Sequence, residues 1–161
     1  MEPEPYASRP GSRAADAAYE DDEPGARPLG LWVIGERLTW VSGLVLALSA
    51  FTGWYAGSGE GPTIAVIGWH TGALGKLVFL IGLAVIALAA LREAGIALPA
   101  AVPESLIVIV LGSISTVLVL IRLISIPDEF FPFDRGVGIW ISLLASILVI
   151  VAGLLRATDE L

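Results

Sequence analysis

The chain has 161 residues, of which 56% are hydrophobic, with a formal net charge of −7 and no cysteine. The absence of cysteine excludes disulfide bonds and thiolate metal sites, and the acidic balance argues against nucleic-acid binding, which needs a basic surface. The apolar residues are gathered into four long blocks that fill most of residues 38–155. Because about 18 apolar residues are enough to cross a bilayer core of roughly 30 Å as a helix, the composition predicts an all-α membrane protein.

Residues 1–28 differ from the rest of the chain, being rich in proline, alanine, glycine and acidic residues. They offer too few apolar side chains to offset the entropy that a chain loses when it becomes ordered. We therefore expect a disordered acidic tail, followed by a membrane domain over residues 29–156.

The first span is predicted over residues 38–55. A lead-in over residues 29–40 precedes it, in which Trp32 and Trp40 are suited to the headgroup level of the membrane. The span ends in the sequence FTGWYAG, residues 51–57, whose aromatic side chains are typical of a membrane interface.

Three further spans are predicted over residues 69–91, 104–126 and 137–155. Glu104 favours a helix start, because an acid in the first turn complements the positive end of the helix dipole. Pro127 ends the third span, because proline has no backbone N–H to continue a helix.

The basic residues predict the orientation, because Lys and Arg near span ends are retained on the cytoplasmic side. One side carries six arginines in the tail or at span ends: Arg9, Arg13, Arg27, Arg37, Arg92 and Arg156. The opposite side has three basic residues, Lys76, Arg122 and Arg135. With four crossings, both the tail over residues 1–28 and the C-terminal tail over residues 157–161 are expected in the cytoplasm.

Small residues repeat along the second span at a spacing of seven, namely Gly68, Gly75, Gly82 and Ala89. A heptad repeat keeps one line of residues facing a neighbouring helix. Membrane helices associate through close backbone approach and hydrogen bonds, because lipid tails are as apolar as leucine. The other spans also carry small or hydroxyl residues on one face, so we predict a four-helix transmembrane bundle with this line as a helix-packing seam.

Charged residues gather near the outer end of the second and third spans. Lys76 and Arg122 are expected at a similar depth, with Asp128, Glu129 and Asp134 in the loop above them. A cation at that depth is costly unless it pairs or reaches the interface. One interpretation is a structural charge cluster, in which the acids fold the loop down over Arg122. A second is a site for an anionic lipid headgroup or a small acid, and a third is that the two cations reach the membrane interface without any partner.

Several kinds of chemistry have no residues to support them. No Asp or Glu lies in the middle of a predicted span, and His70 is the only histidine. Metal and haem sites need more ligands than that, and no phosphate-binding loop or catalytic serine motif is present. We expect no enzyme activity, no metal and no cofactor.

Short motifs recur at span ends: Trp54-Tyr55 ends the first, Gly68-Trp69 begins the second, and L-I-R-L-I over residues 120–124 ends the third. In this order, after an acidic tail, they resemble uncharacterised small four-span integral membrane proteins of actinobacteria, over about residues 30–156. Such proteins often have F-L-P-W-Y where this chain has FTGWY. The resemblance implies a bacterial inner-membrane location and no known activity, and it supplies no site residue.

Two functions are consistent with these features. The first is a non-enzymatic integral membrane protein, either a homo-oligomer or an accessory subunit that binds other membrane subunits. The second is a small transporter or anionic-lipid-binding protein that uses Lys76 and Arg122.

Overall fold

The computed structural model describes residues 30–57, 65–96, 103–126 and 133–160, and these residues are mostly helical. The described residues contain four α-helices: α1 (Leu31–Ser49), α2 (Ala73–Glu93), α3 (Glu104–Ile124) and α4 (Val137–Glu160). The connections contain three short strands, β1 (Gly53–Ala56), β2 (Ala65–Ile67) and β3 (Asp134–Arg135), and a 3-10 turn over Gly68–His70. The predicted tail over residues 1–28 and the loop residues 127–132 lie outside the described residues.

The four helices pack side by side, and neighbouring helices run antiparallel. Helix α1 packs against α2 and α4, and α3 packs against the same two helices from the opposite side. In the middle of α1, Trp40 donates its indole N–H to Glu93, the last residue of α2, at 2.8 Å. Where α1 ends, the Ser142 hydroxyl of α4 donates to the Ser49 hydroxyl at 2.7 Å. The end at which α1 begins and α4 ends is called the termini end below, and the opposite end the sheet end.

Glycines bring the helix backbones into contact. A Cβ atom on Gly82 of α2 would lie 2.6 Å from the backbone nitrogen of Ala47 in α1. On the other side, a Cβ on Gly112 of α3 would lie 3.0 Å from the backbone nitrogen of Ile150 in α4. At Gly82 a larger residue would force the two backbones apart, and at Gly112 it would require Ile150 to move, so both helix pairs are closest with glycine. The close approach also brings many backbone atoms within van der Waals range.

The residues of the predicted seam are buried, but they do not all belong to one helix. Gly75 and Gly82 lie on α2 with Ala89, whereas Gly68 belongs to the 3-10 turn that precedes it. Gly75 packs directly on the Gly68 carbonyl. The seam therefore has two contacts. Near the start of α2, Gly75 packs on the 3-10 turn, and further along the helix Gly82 packs on α1.

A three-stranded sheet, in the order β2-β1-β3, covers the sheet end of the helices. The first predicted span extended to residue 55, whereas α1 ends at Ser49 and residues 53–56 form β1. Two side chains close the last turn of α1, because the Trp54 indole and the Thr52 hydroxyl both donate to the Ser49 carbonyl, at 3.0 and 2.6 Å. The expectation of an all-α fold was therefore wrong at this connection.

The side chains of Trp54 and Tyr55, predicted to belong to an interfacial aromatic segment, do not face outward, since both are fully buried within the protein. Burial follows from the sheet pairing, because β1 lies in the centre of the sheet and across the helix ends. Near this end a partly exposed aromatic cluster is formed by Phe51, Trp69 and Phe79, whose ring centroids lie 5.3–5.6 Å apart.

The other helix bounds differ from the predicted spans by a few residues. The second helix begins at Ala73 rather than residue 69, because Gly72 adopts φ of 99°, a conformation outside the right-handed helix. The fourth begins at Val137 as predicted but continues beyond residue 155 and through most of the expected C-terminal tail to Glu160.

Large apolar side chains face outward on all four helices. Leu48, Leu80, Val117 and Leu144, one from each helix, are each more than half exposed. The segments Ala73–Glu93, Glu104–Ile124 and Val137–Thr158 are long and apolar enough to cross a membrane. Continuous apolar surface of this extent is unusual on soluble monomers and marks contact with a membrane or with partner proteins.

We predict that Gly82→Leu lowers the free energy of unfolding by about 1–3 kcal/mol, because the added side chain must push Ala47 of α1 away. The matched control is Ala87→Leu, at an exposed position of the same helix. Thermal unfolding in mild detergent compares them with the wild type. Equal stability of Gly82→Leu and Ala87→Leu would contradict the close contact of α1 with α2.

Candidate functional site

Three charged side chains from three helices meet at the termini end. Glu104 of α3 accepts a hydrogen bond from Arg156 of α4 at 2.7 Å, and its second oxygen lies 3.5 Å from Arg92 of α2. The Arg156 side chain is 2% exposed, against 15% for Glu104 and 30% for Arg92. The Glu104 carboxylate therefore pairs with two arginines, of which Arg156 is buried and Arg92 is partly exposed to solvent. We call these three residues the Glu104 cluster.

The positions of the three residues follow from the helix ends. Glu104 occupies the first turn of α3 and Arg92 the last turn of α2, so each charge complements the dipole of its own helix. Gly35 of α1 completes the arrangement, because a Cβ there would lie 3.0 Å from the Cγ atom of Arg156. The cluster thus joins α2, α3 and α4 through charged side chains. The absence of a side chain at Gly35 lets α1 pack against Arg156.

The Glu104 cluster was not among the predicted sites. Sequence reasoning placed Arg92 and Arg156 at cytoplasmic helix ends and Glu104 at a helix start, without bringing them together. The signal that could have found them is the short connection between α2 and α3, which forces the last turn of one helix beside the first turn of the next.

At the sheet end, Arg122 in the last turn of α3 reaches across to the segment that links the 3-10 turn to α2. Its Nη2 atom donates to the backbone carbonyl of Thr71, and its own backbone carbonyl accepts the Tyr55 hydroxyl at 2.8 Å. A Cβ atom on Gly72 would lie 3.0 Å from that Nη2. The Nε atom of Arg122 is buried and has no hydrogen-bond partner among the described residues.

Tyr55 connects β1 to the last turn of α3. Burial raises the pKa of its hydroxyl above the ordinary value, and this effect exceeds the opposing influence of the Arg122 and Arg135 charges. The hydroxyl is therefore protonated at neutral pH and remains a donor to the Arg122 carbonyl. This bond anchors the centre of the sheet to the helices.

The described residues do not assemble the predicted outer charge cluster. Lys76 is exposed, with its Nζ atom 5.7 Å from the centre of the Trp69 ring. Asp134 is exposed on β3, and no carboxylate of the described residues lies within 4.0 Å of Arg122 or Lys76. The other two predicted acids, Asp128 and Glu129, lie outside the described residues.

Hydroxyl groups occupy the interior between the helices. Ser142 donates to Ser49 at 2.7 Å, and Thr116 of α3 donates to Ser146 of α4 at 3.0 Å. The Ser115 hydroxyl is buried and has no partner within the described part of the chain. These groups link helices but supply no acid or base at neutral pH. Within the same residues, no group of three or more metal-ligating side chains occurs.

No protein-family model, curated protein or solved structure matches the chain significantly. The resemblance to small four-span membrane proteins thus rests on short sequence motifs. The function has to be inferred from the charged ends, the hydroxyl interior and the apolar exterior.

We predict that Glu104→Gln destabilises the protein more than Arg156→Leu does. Loss of Glu104 leaves Arg156 buried without a partner, which costs about 3–5 kcal/mol, whereas loss of Arg156 leaves Glu104 paired with Arg92. Unfolding of both variants and of the double variant in detergent measures the coupling. The control is Arg37→Leu, an exposed arginine at the same end. Additive effects of the two changes would contradict a buried ion pair.

Two buried serines should respond differently to loss of the hydroxyl. Ser142→Ala removes the bond to Ser49 and is expected to cost about 1 kcal/mol. Ser115→Ala removes an unpartnered buried hydroxyl and is expected to be neutral or stabilising. Thermal unfolding of the two variants, which delete the same atom, gives the comparison. A larger loss from Ser115→Ala would show that this hydroxyl has a partner after all.

Proposed function

We propose that the chain is an integral membrane protein whose four helices form a transmembrane bundle. The observation that supports this most is the outward-facing apolar surface, because large leucine, valine and isoleucine side chains are exposed on all four helices although the interior already holds an apolar core with buried hydroxyl groups. Bilayer lipid removes the cost of exposing such side chains to water. In the same environment the internal hydroxyl bonds and glycine contacts hold the helices together.

The proposal includes α1 as a membrane-crossing helix, although it carries Glu36 and Arg37 near its start. At 1.5 Å per residue its 19 residues extend over roughly 28 Å. It lies beside α4 along its length, from the contact of Gly35 with Arg156 to the bond between Ser49 and Ser142. If α4 crosses the bilayer, α1 has to cross it as well.

We further propose that the termini end faces the cytoplasm of a bacterial cell and that the domain lies in the inner membrane. The excess of arginines in the tail and at that end supports this orientation. The bacterial setting rests on the resemblance described above.

For its role, we propose a non-enzymatic protein that forms homo-oligomers or serves as an accessory subunit of a membrane complex. The hydroxyl groups of Thr116, Ser142 and Ser146 bond to other hydroxyls or to the backbone, and no acid or base is paired with them among the described residues. The glycines of α2 and α3 are covered by neighbouring helices of the same chain. Association would therefore use the larger outward side chains, such as Leu80 and Val117.

A second candidate is a small transporter or a protein that binds anionic lipid through Lys76 and Arg122. The unpartnered Nε of Arg122 and the exposed Lys76 favour this candidate, because both retain donors for a ligand.

Native mass spectrometry of the full chain, purified in mild detergent, tests the role. We expect dimers or higher assemblies, or another membrane subunit in fixed ratio, that persist on dilution. A double variant, Leu80→Ala with Val117→Ala, changes only exposed side chains and leaves the interior unchanged. It should weaken an assembly that uses this surface. A monomer that retains only lipid would contradict the assembly role and support the second candidate.

A further inference from the structure

The contact between α2 and α3 is the least extensive of the four contacts between neighbouring helices. Glycines bring the other three pairs into close approach, because Gly82 of α2 packs on α1, Gly112 of α3 on α4, and Gly35 of α1 on α4. The nearest neighbours of the glycines in α2 and α3 lie on α1, on α4 or in the turn before α2. Close backbone approach, which holds membrane helices together, therefore favours every neighbouring pair except α2 with α3.

Side-chain hydrogen bonds also join the other three pairs of helices. They run from Trp40 to Glu93 between α1 and α2, from Ser142 to Ser49 between α4 and α1, and from Thr116 to Ser146 between α3 and α4. Between α2 and α3 the described side chains provide instead the ion pair of Arg92 with Glu104, at 3.5 Å, in which Arg92 is 30% exposed. An ion pair with this much exposure to solvent contributes little to stability.

One line of residues on α3 faces α2. Glu104 and Arg122 both belong to it, because the 18 positions between them make about five full turns of a helix. Glu104 meets Arg92 in the last turn of α2, and Arg122 donates to the Thr71 carbonyl just before α2 begins. These two interactions lie at opposite ends of α3, and we call them the two end contacts.

Ser115 lies on the same line of α3, between the two end contacts. Its position is within about 20° of that of Glu104 around the helix. The side chain is fully buried, and its hydroxyl has no hydrogen-bond partner among the described residues. Because a buried hydroxyl without a partner costs free energy, the middle of the α2–α3 contact is less stable than the middle of α3–α4, where Thr116 bonds to Ser146.

We propose that the bundle opens along the α2–α3 contact toward the bilayer, and that the two end contacts hold it closed. The α1–α2 and α3–α4 pairs move as units, because glycine contacts and hydrogen bonds join the helices within each pair. The hinge is the α1–α4 contact, which is the most extensive one and contains the bond from Ser142 to Ser49. This inference rests on the proposed transmembrane bundle, and it names the side from which lipid would reach the interior.

Distances between pairs of spin labels on the full chain, in mild detergent and diluted with unlabelled protein, measure the opening. The chain has no cysteine, so introduced cysteines carry the labels. Leu83→Cys with Ile114→Cys spans α2 and α3, and Ile114→Cys with Leu148→Cys is the matched pair for α3 and α4. All three positions are exposed. We expect two distances or a broad distribution for the first pair and one narrow distance for the second.

Arg92→Gln removes one end contact and leaves Arg156 paired with Glu104. It should raise the fraction of long distances in the α2–α3 pair about two- to fivefold, as expected for the loss of a partly exposed ion pair. The control Arg37→Gln, at an exposed position of the same end, should leave this fraction unchanged.

One narrow α2–α3 distance in both the wild type and Arg92→Gln would overturn the proposal, as would equal broadening of the α2–α3 and α3–α4 pairs. A failure of the transmembrane bundle itself would appear elsewhere, as labelling of mid-helix positions in intact cells, which does not depend on these distances.

Discussion

The outward position of the large apolar side chains is the constraint on which the rest of the structure depends. With leucines and valines on the outside, hydrophobic burial contributes little to holding one helix against another in lipid. The stabilising contacts come from the packed interior, in which large apolar side chains such as Leu46, Val85 and Ile139 are fully buried beside small residues. Gly82 against Ala47 and Gly112 against Ile150 bring backbones together, and the bond of Ser142 to Ser49 joins the first helix to the last.

The buried or partly buried arginines have different partners at the two ends of the helices. At the termini end, Glu104 neutralises a buried arginine within the protein and joins three helices. At the sheet end, Arg122 is held by a neutral carbonyl and no carboxylate of the described residues accompanies it. At both ends the arginine keeps a buried Nε atom without a hydrogen-bond partner among the described residues. The two ends therefore differ in the charge that accompanies the arginine, a carboxylate at the termini end and a neutral carbonyl at the sheet end.

The apolar blocks predicted four helices because long apolar runs have few alternatives, and the helix start at Glu104 followed from the acid in its first turn. The sheet was missed because FTGWYAG has the composition of an interfacial segment. Its burial depends on pairing with residues 65–67 and 134–135, which are distant in sequence. Likewise, the sequence showed Arg122 as an isolated cation but not that Thr71 holds it, since that contact requires the 3-10 turn to precede α2.

Site-directed labelling tests most directly the central claim that these helices cross a bilayer. The chain has no cysteine, so single cysteines at His70, Ala94, Leu83 and Leu148 can be labelled with a membrane-impermeant maleimide in intact cells without background. The account predicts labelling of the His70 site from outside and of the Ala94 site only after permeabilisation. The Leu83 and Leu148 sites, exposed in mid-helix, should stay unlabelled in the native membrane. Labelling of these two as fast as the end positions would contradict a transmembrane bundle.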